Sequence, residues 1–418
     1  MSIPSLPQET TDLVLDALAG DSATLRSCSL VCQSWLPRSR ANLHRRATFA
    51  ISKRKQSGPN HALERKMDVY RSGALAGSVR ELTIKWSPYG SQQDWDKVLA
   101  VLRLFKTVRS LTFMSIDRNV LDGISERLLP VLTTQYGGLE SLSLTRFSFE
   151  KKPMDFFTIL RCFQQLRRLG LATVTFGRTA RKEESVAGVE TVSLLRNLTL
   201  YRCKTAQNTV EDCDSLEWLL GNEADPEGRD RYLVFHHQRV EEVNSVLRGV
   251  GKSLRSLTIC DIQDDRGDLV DLSTATRLRS LEVRPDPYVY GGSDLRWLAK
   301  ALAKASCPGL AQLTVHVGLQ GPGLGHFDTE SWEALDGALS SPAFHSLETV
   351  ELRVSVFVQL SAIERSYLEA LSRSQVFRAT MVRIRQCMRS ADRRGILHIA
   401  AERDNFNGQL DDQIALSR

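Results

Sequence analysis

No apolar run in the 418-residue sequence approaches the roughly 18 residues that a bilayer-crossing helix demands. No secretion signal is expected: Glu9, Asp12 and Asp16 stand where that segment needs positive charge and then apolar residues. Cysteine is sparse and its spacing unpaired. The eight cysteines (28, 32, 162, 203, 213, 260, 307 and 387) are scattered, and only Cys28 and Cys32 lie close together. That excludes a dense disulfide framework and fits free thiols in a reducing, intracellular setting, cytoplasmic or nuclear. The Asn197-Leu-Thr199 sequon is then idle.

Recognisable chemistry is also missing. Gly249-Val-Gly251-Lys252-Ser253 has Val246 where a phosphate loop needs its first glycine, and a helical pattern precedes it where a strand should. Cys28 and Cys32 are one helical turn apart, but no second ligand pair follows at metal-binding spacing, so core thiols are expected. His236 and His237 are adjacent on a strand pattern and point to opposite faces. Gly321-Pro-Gly-Leu-Gly325 lacks flanking strand and helix signals and is expected to be a loop. No Ser/His/Asp or Cys/His grouping assembles. The expectation is a non-catalytic chain that needs no metal or cofactor and no membrane.

Charge is present but local. Residues 1–37 hold four acids against Arg26. Residues 38–66 hold nine bases (Arg38, Arg40, Arg45, Arg46, Lys53, Arg54, Lys55, Arg65, Lys66) against Glu64. Nucleic-acid binding through this segment would depend steeply on salt. It lacks a stacking platform, however, because Phe49 is its only aromatic residue, and nucleic acid is not the expected partner.

The abundant feature is a repeat. A six-residue pattern, apolar-x-x-apolar-x-apolar, begins at Val79, Val108, Leu139, Leu166, Leu195, Leu254, Leu278, Leu310 and Leu347. A degenerate copy is expected near Tyr232-Leu-Val-Phe235, inside the long interval after Leu195. Each copy alternates as a short strand does, with positions four and six buried. Helical patterns lie between copies at Asp94–Phe105, Leu121–Tyr136, Arg239–Val250, Asp294–Ala305 and Thr329–Leu339. Such units bury their apolar sides only by stacking, which gives a parallel sheet backed by helices. Thr48–Ile51 reads as a preceding strand, residues 51–62 as a loop, and Ala62–Tyr70 as a helix. Ile396–Ala400 reads as a closing strand and residues 403–418 as a loosely ordered tail.

These copies resemble the leucine-rich-repeat family, whose consensus is LxxLxLxx(N/C)xL, over roughly residues 75–390. Only the Leu195 copy supplies the consensus ninth residue, as Cys203; the others carry Ser87, Ile116, Phe147, Val174, Ile262, Asp286, Gly318 and Ser355. The resemblance implies an α/β chain with a right-handed βα solenoid and a curved parallel sheet. Two columns run along it. The second pattern position holds Arg80, Arg109, Arg167, Arg196, Arg255 and Arg279, a candidate rim for gripping acidic or phosphorylated segments of a target. The fifth is mostly threonine and is expected on an exposed sheet face, although strand propensity and edge solubility alone account for both columns.

The N-terminal forty residues read as three short helices. Leu6-Pro7-Gln8-Glu9 opens the first, Gly20 stops it, Asp21 or Ser22 caps the second, and Pro37 starts the third. Val14 with Leu18, Leu25 with Cys28 and Cys32, and Val31 with Trp35 form more apolar surface than so small a unit hides. It must be covered by a neighbour: the chain's own repeats or another protein. The segment Leu6-Pro7-x-Glu9, Val14, Leu18, Leu25, Leu30-Val31-Cys32-x-x-Trp35 resembles an F-box of the fungal type that precedes leucine-rich repeats. Thr10 departs from the family's Leu or Ile. The resemblance implies that Leu6, Pro7, Val14, Leu18, Leu25, Val31 and Trp35 face the Skp-type adaptor of a cullin–RING (SCF-type) ubiquitin ligase, with the repeats holding an unknown target protein. The alternative is a leucine-rich-repeat scaffold unconnected with ubiquitin. The expected organisation is an F-box-like segment at 1–46, a linker and capping repeat at 47–78, diverged repeats at 79–390 and a tail at 391–418.

Overall fold

A strand that buries one face and a helix that buries one stripe are each incomplete alone, and stacking like on like completes both. The structure, a computed structural model, describes residues 7–51, 61–71, 73, 75–86, 92–115, 124–149, 156, 159–160, 162–176, 195–201, 203–205, 231–236, 238–260, 269–284, 295–305, 307–320, 328–357 and 368–401. The expected loop at 321–325, the tail at 403–418 and most of the loop at 51–62 lie outside the described residues. The chain forms two compact units, 1–179 and 180–418.

The first unit opens with three short helices, α1 (Gln8–Ala17), α2 (Ser22–Cys28) and α3 (Leu36–Leu43). It continues with β1 (Arg46–Ile51), α4 (His61–Arg71), β2 (Glu81–Trp86), α5 (Gln92–Leu104), β3 (Ser110–Ser115) and α6 (Ile124–Gln135). There follow β4 (Ser141–Thr145), β5 (Ser148–Phe149), β6 (Arg168–Ala172) and β7 (Thr175–Phe176). The sheet order is β1-β2-β3-β4-β6, every pair parallel, and β5 pairs with β7 separately.

The second unit holds β8 (Asn197–Tyr201), β9 (Lys204–Thr205), β10 (Arg231–His236), α7 (Val240–Val250), β11 (Leu254–Cys260) and β12 (Ser280–Arg284). After these come α8 (Arg296–Lys304), β13 (Gln312–Gln320), α9 (Thr329–Leu339), β14 (Thr349–Phe357), α10 (Leu368–Cys387), α11 (Arg389–Arg393) and β15 (Leu397–Ala401). Its sheet order is β8-β10-β11-β12-β13-β14-β15, again parallel throughout. Strands thus follow chain order in both units, as a stacked strand–helix repeat requires. The sequence places the main ladder strands within a few residues, including β1, the degenerate β10 and the closing β15, but not the two-residue β5, β7 and β9 or the helices α10 and α11.

Positions one, four and six of all nine pattern copies are buried, from Val79, Leu82 and Ile84 through to Leu347, Val350 and Leu352. Each copy removes about three aliphatic side chains from water, worth roughly 1.5–3 kcal/mol apiece before entropy. Like positions pair with like across the ladder, as in Leu82↔Leu111 and Leu281↔Leu313. The degenerate copy keeps this register, with Leu233 paired to Leu198 and Leu257.

Register is set before the strand begins. The carbonyl of Arg80 accepts the N–H groups of both Arg109 and Ser110 at 2.8 and 2.9 Å. Arg109 does the same for Glu140 and Ser141, Glu140 for Arg167 and Arg168, Arg279 for Ala311 and Gln312, and Ala311 for Glu348 and Thr349. The second pattern position is therefore where each chain enters the sheet.

At the ninth position Phe147, Val174 and Cys203 are all buried, so these copies extend their apolar packing beyond the strand. The residue just before it takes a left-handed conformation in two successive copies, Arg146 (φ 61°) and Thr173 (φ 54°). In the last two pattern copies the strands instead run straight on, and Gly318 pairs with Ser355 inside nine-residue β13 and β14.

Side chains close the backbone accounts elsewhere. Asn244 on α7 donates to the Leu269 carbonyl (2.9 Å) and accepts the Asp271 N–H (2.7 Å). Asp336 on α9 accepts the N–H groups of Ser390 and Ala391 at the start of α11 (2.9 and 3.0 Å). Arg394 donates to the carbonyls of Leu339, Phe344 and Leu347, each at 3.2 Å. The twenty-residue α10 was not legible as a helix, because its arginines, serines and glutamine leave no clean apolar stripe.

Gly251 illustrates what the glycines of the 249–253 stretch do. It is buried, and a Cβ there would sit 2.4 Å from Thr274 Oγ1 and 2.7 Å from the Thr274 carbonyl carbon. Close approach of two turns, rather than a phosphate, requires it. Gly251→Ala is expected to cost about 1–3 kcal/mol through overpacking, seen as a lower urea midpoint with unchanged far-UV circular dichroism at zero denaturant.

Candidate functional site

The N-terminal helices form their own small core. Pro7 precedes α1 as its cap residue, one place earlier than the first helical position. Asp21 caps α2, its carboxylate accepting the N–H groups of Ala23 and Thr24 at 3.0 Å each. Leu15, Leu25 and Cys28 are buried together, with Leu18, Trp35 and Leu43 packed against them. α3 packs on both α1 and α2. Asn42 Nδ2 donates to the Leu15 carbonyl (2.9 Å) and to Asp16 Oδ1 (3.0 Å), and Arg38 Nε donates to Asp16 Oδ1 (2.6 Å). The Arg38 hydrogen bond, ahead of the other contributions, holds the Asp16 carboxyl below its ordinary pKa.

That core divides the seven expected docking residues. Leu25, only 1% exposed, belongs to the inside of the unit and is not a surface residue; α2 turns it toward Leu15. Leu18 and Trp35 are half-buried in the same cluster. Pro7 is exposed, and Leu6 lies outside the described residues. Val14 and Val31 are 48% and 62% exposed, and Leu13 and Leu30 accompany them at 70% and 86%. The expected excess of apolar surface is therefore present, but part of it sits on residues the sequence pattern did not select. Leu15 was missed for the same reason. In a ten-residue helix several apolar stripes are possible, and only the partner helices decide which one is buried.

Part of the basic segment is engaged within the first unit. Arg45 and Arg46 reach Glu81 at 3.7 and 2.9 Å, and Lys66 lies over the Phe49 ring, 5.2 Å from its centroid. Phe49, Tyr70 and Phe105 pack on one another with centroids 5.1–5.9 Å apart. Residues 53–55 lie outside the described residues.

The arginine column lies at the start of its strands in both units. In the first unit, Arg80 is half-buried and donates to the Thr107 carbonyl (3.0 Å), Arg109 pairs with Glu140 (3.0 Å) and Arg167 is exposed. In the second unit Arg196 and Arg279 are exposed and Arg255 is half-buried. The threonine column is less open than expected. Thr83, Thr112 and Thr314 are buried, because residues on neighbouring strands shade them in register.

On that same face of the second unit lies a charged group the sequence columns did not isolate. Glu282 on β12 accepts from Arg284 Nε and Nη2 (2.8 and 2.6 Å) and contacts His316 Nε2 on β13 at 2.9 Å. Glu351 on β14 is gripped by Arg353 through Nε and Nη2 (3.0 and 3.1 Å). A Glu-x-Arg pair thus recurs on β12 and β14, with Thr314-x-His316 between them; the signal was visible only in the seventh pattern position. Burial pushes the Glu282 carboxyl up, but the His316 hydrogen bond and the Arg284 charge outweigh it and hold the pKa down at about 2.

Among the described residues no group of three or more potential metal ligands occurs, and no helix is long and apolar enough to cross a membrane. Cys28 lies in the helical core, and exposed Cys32 contacts Ser34 Oγ at 3.0 Å. His236 ends β10, while His237 lies outside the described residues.

Because the folded Glu282 pKa is depressed, its contribution is present above the ordinary 4.5 and is lost as pH falls toward about 2. Glu282→Gln is expected to lower stability at pH 7 by on the order of 2–3 kcal/mol and to flatten the acid limb, measured by urea unfolding across that range.

Set beside known proteins, the chain matches no protein-family model and no curated protein. Among solved structures it is similar to a crystal structure of a Bacteroides fragilis protein, with 11% identity over 75% of this chain and 70% of that chain and a TM-score of 0.31.

Proposed function

We propose that the chain is the substrate-recognition adaptor of an SCF-type ubiquitin ligase. The helices α1–α3 act as an F-box-like segment that docks on the Skp-type adaptor, and leucine-rich-repeat-type strand–helix units hold a target protein. The supporting observation is the division of apolar residues in the helical segment. Leu15, Leu25, Cys28, Leu18, Trp35 and Leu43 already complete an internal core. Leu13, Val14, Leu30 and Val31 remain exposed regardless. Four large apolar side chains on so short a segment are a surface that a partner covers. The sequence resemblance assigns that partner.

The chain itself then needs no catalytic group. It raises the local concentration of target beside the transferase subunits, which carry the chemistry. Arg80, Arg109, Arg167, Arg196, Arg255 and Arg279 are the target-side candidates, with Arg80 and Arg109 already holding partners within the chain.

A Val14→Glu/Val31→Glu variant is expected to lose recovery of adaptor and cullin in affinity purification by at least roughly thirtyfold, as hot-spot losses of about 2 kcal/mol imply. Its circular dichroism should match the parent, because both residues are exposed. Leu25→Ala should lose the adaptor by melting the helical segment instead, at a cost of about 2–5 kcal/mol. Undiminished adaptor recovery with the double variant overturns the docking assignment. Recovery of adaptor without cullin from the parent chain would mark a scaffold outside ubiquitin transfer.

A further inference from the structure

The strand starts of β11 and β12 in the second unit gather positive charge from several elements. Lys252 lies in the turn Gly251–Ser253 before β11, and Arg255 is the second residue of that strand. Arg277 and Arg279 precede β12. The two starts are adjacent: the Arg279 N–H donates to the Arg255 carbonyl at 2.9 Å, and Gly251 is packed directly on Thr274. Lys252, Arg277 and Arg279 are exposed, and their side chains make no hydrogen bond or ion pair among the described residues.

Helix ends add to the cluster. Arg248 lies in the last turn of α7 and Lys304 in the last turn of α8. Both are close enough to influence Asp271, whose carboxyl is held low first by Ser273 and then by these two charges. Residues 248–255 and 269–281 hold five cations against Asp271. The mutual repulsion of the exposed Lys252, Arg277 and Arg279 is relieved by an anionic partner.

The first unit displays the relief in its own chain. There the same column position carries Glu140 beside Arg109, and the two close an ion pair at 3.0 Å. We propose that the β11–β12 strand starts form a docking edge for an acidic protein segment, with Arg277, Arg279 and Lys252 taking its carboxylates. Arginine predominates, and its fork suits the two oxygens of a carboxylate. An extended segment places alternate side chains about 7 Å apart on one face, compatible with engaging both strand starts, which lie about 5 Å apart. Neither stretch contains Phe, Trp or Tyr, so a nucleobase finds no stacking partner there.

The inference deepens the target-holding half of the proposed function, and its test does not involve the adaptor. The full chain is titrated with a fluorescent peptide alternating glutamate and serine, with its glutamine counterpart, with a phosphoserine counterpart and with a single-stranded oligonucleotide. The acidic peptide should bind in preference to the glutamine one. Arg277→Glu/Arg279→Glu should weaken it by roughly thirtyfold, the loss of two charge-assisted contacts, while Arg65→Glu leaves it unchanged. Adaptor recovery should be the same in all three proteins. Absence of acidic-peptide binding, or binding indifferent to the double reversal, overturns the proposal. Tighter binding of the phosphoserine peptide or the oligonucleotide, lost with the same reversal, overturns its assignment to carboxylates.

Discussion

The carbonyl of the second pattern residue accepts two N–H groups from the next strand, and much else in the chain follows from that contact. It fixes where each strand enters the sheet, so positions four and six always meet the same positions on the neighbour. A slip of one residue would turn every buried leucine outward. The same contact leaves the side chain at that position outside the packed layers. An arginine column is tolerated there because its charged ends reach water, as at Arg167, Arg196 and Arg279, or a partner in the chain, as at Arg80 and Arg109, while the backbone is used in full.

The helical segment obeys a different constraint. With so few residues it closes one core and no more. Trp35 and Leu25, the residues that most resemble recognition anchors, are consumed in making it. Exposure and not residue type separates Val14 and Val31 from Leu25. The Asp16–Arg38–Asn42 contacts add directional bonds where apolar packing alone would let α3 rotate against α1.

Most of the fold was legible because a repeat reports the same environment many times. One copy such as LRSLTI is ambiguous, whereas nine at comparable spacing are not. Even the degenerate β10 could be placed by the interval it fills. The candidate surfaces were less legible. Leu15 and Leu25 were not distinguishable from Val14 and Val31 by spacing, since only the packing of α2 and α3 chooses the buried stripe. The Glu282–His316 contact joins residues on neighbouring strands, and Gly251 meets Thr274 through stacked turns; neither has a local signature. The ninth-position residues Phe147 and Val174 depart from the consensus by sequence and are inward-facing core.

The capping of α11 by Asp336 and the threefold grip of Arg394 have a consequence for handling the chain. Together they anchor β15 against β14, whose nine residues, Thr349–Phe357, are rich in β-branched and apolar side chains. Proteolytic clipping or truncation near residue 388 would strip that cover and leave a long strand margin with unsatisfied amide and carbonyl groups. Such a margin templates self-association. Residues 389–401 thus keep that margin paired and guard the chain against self-association.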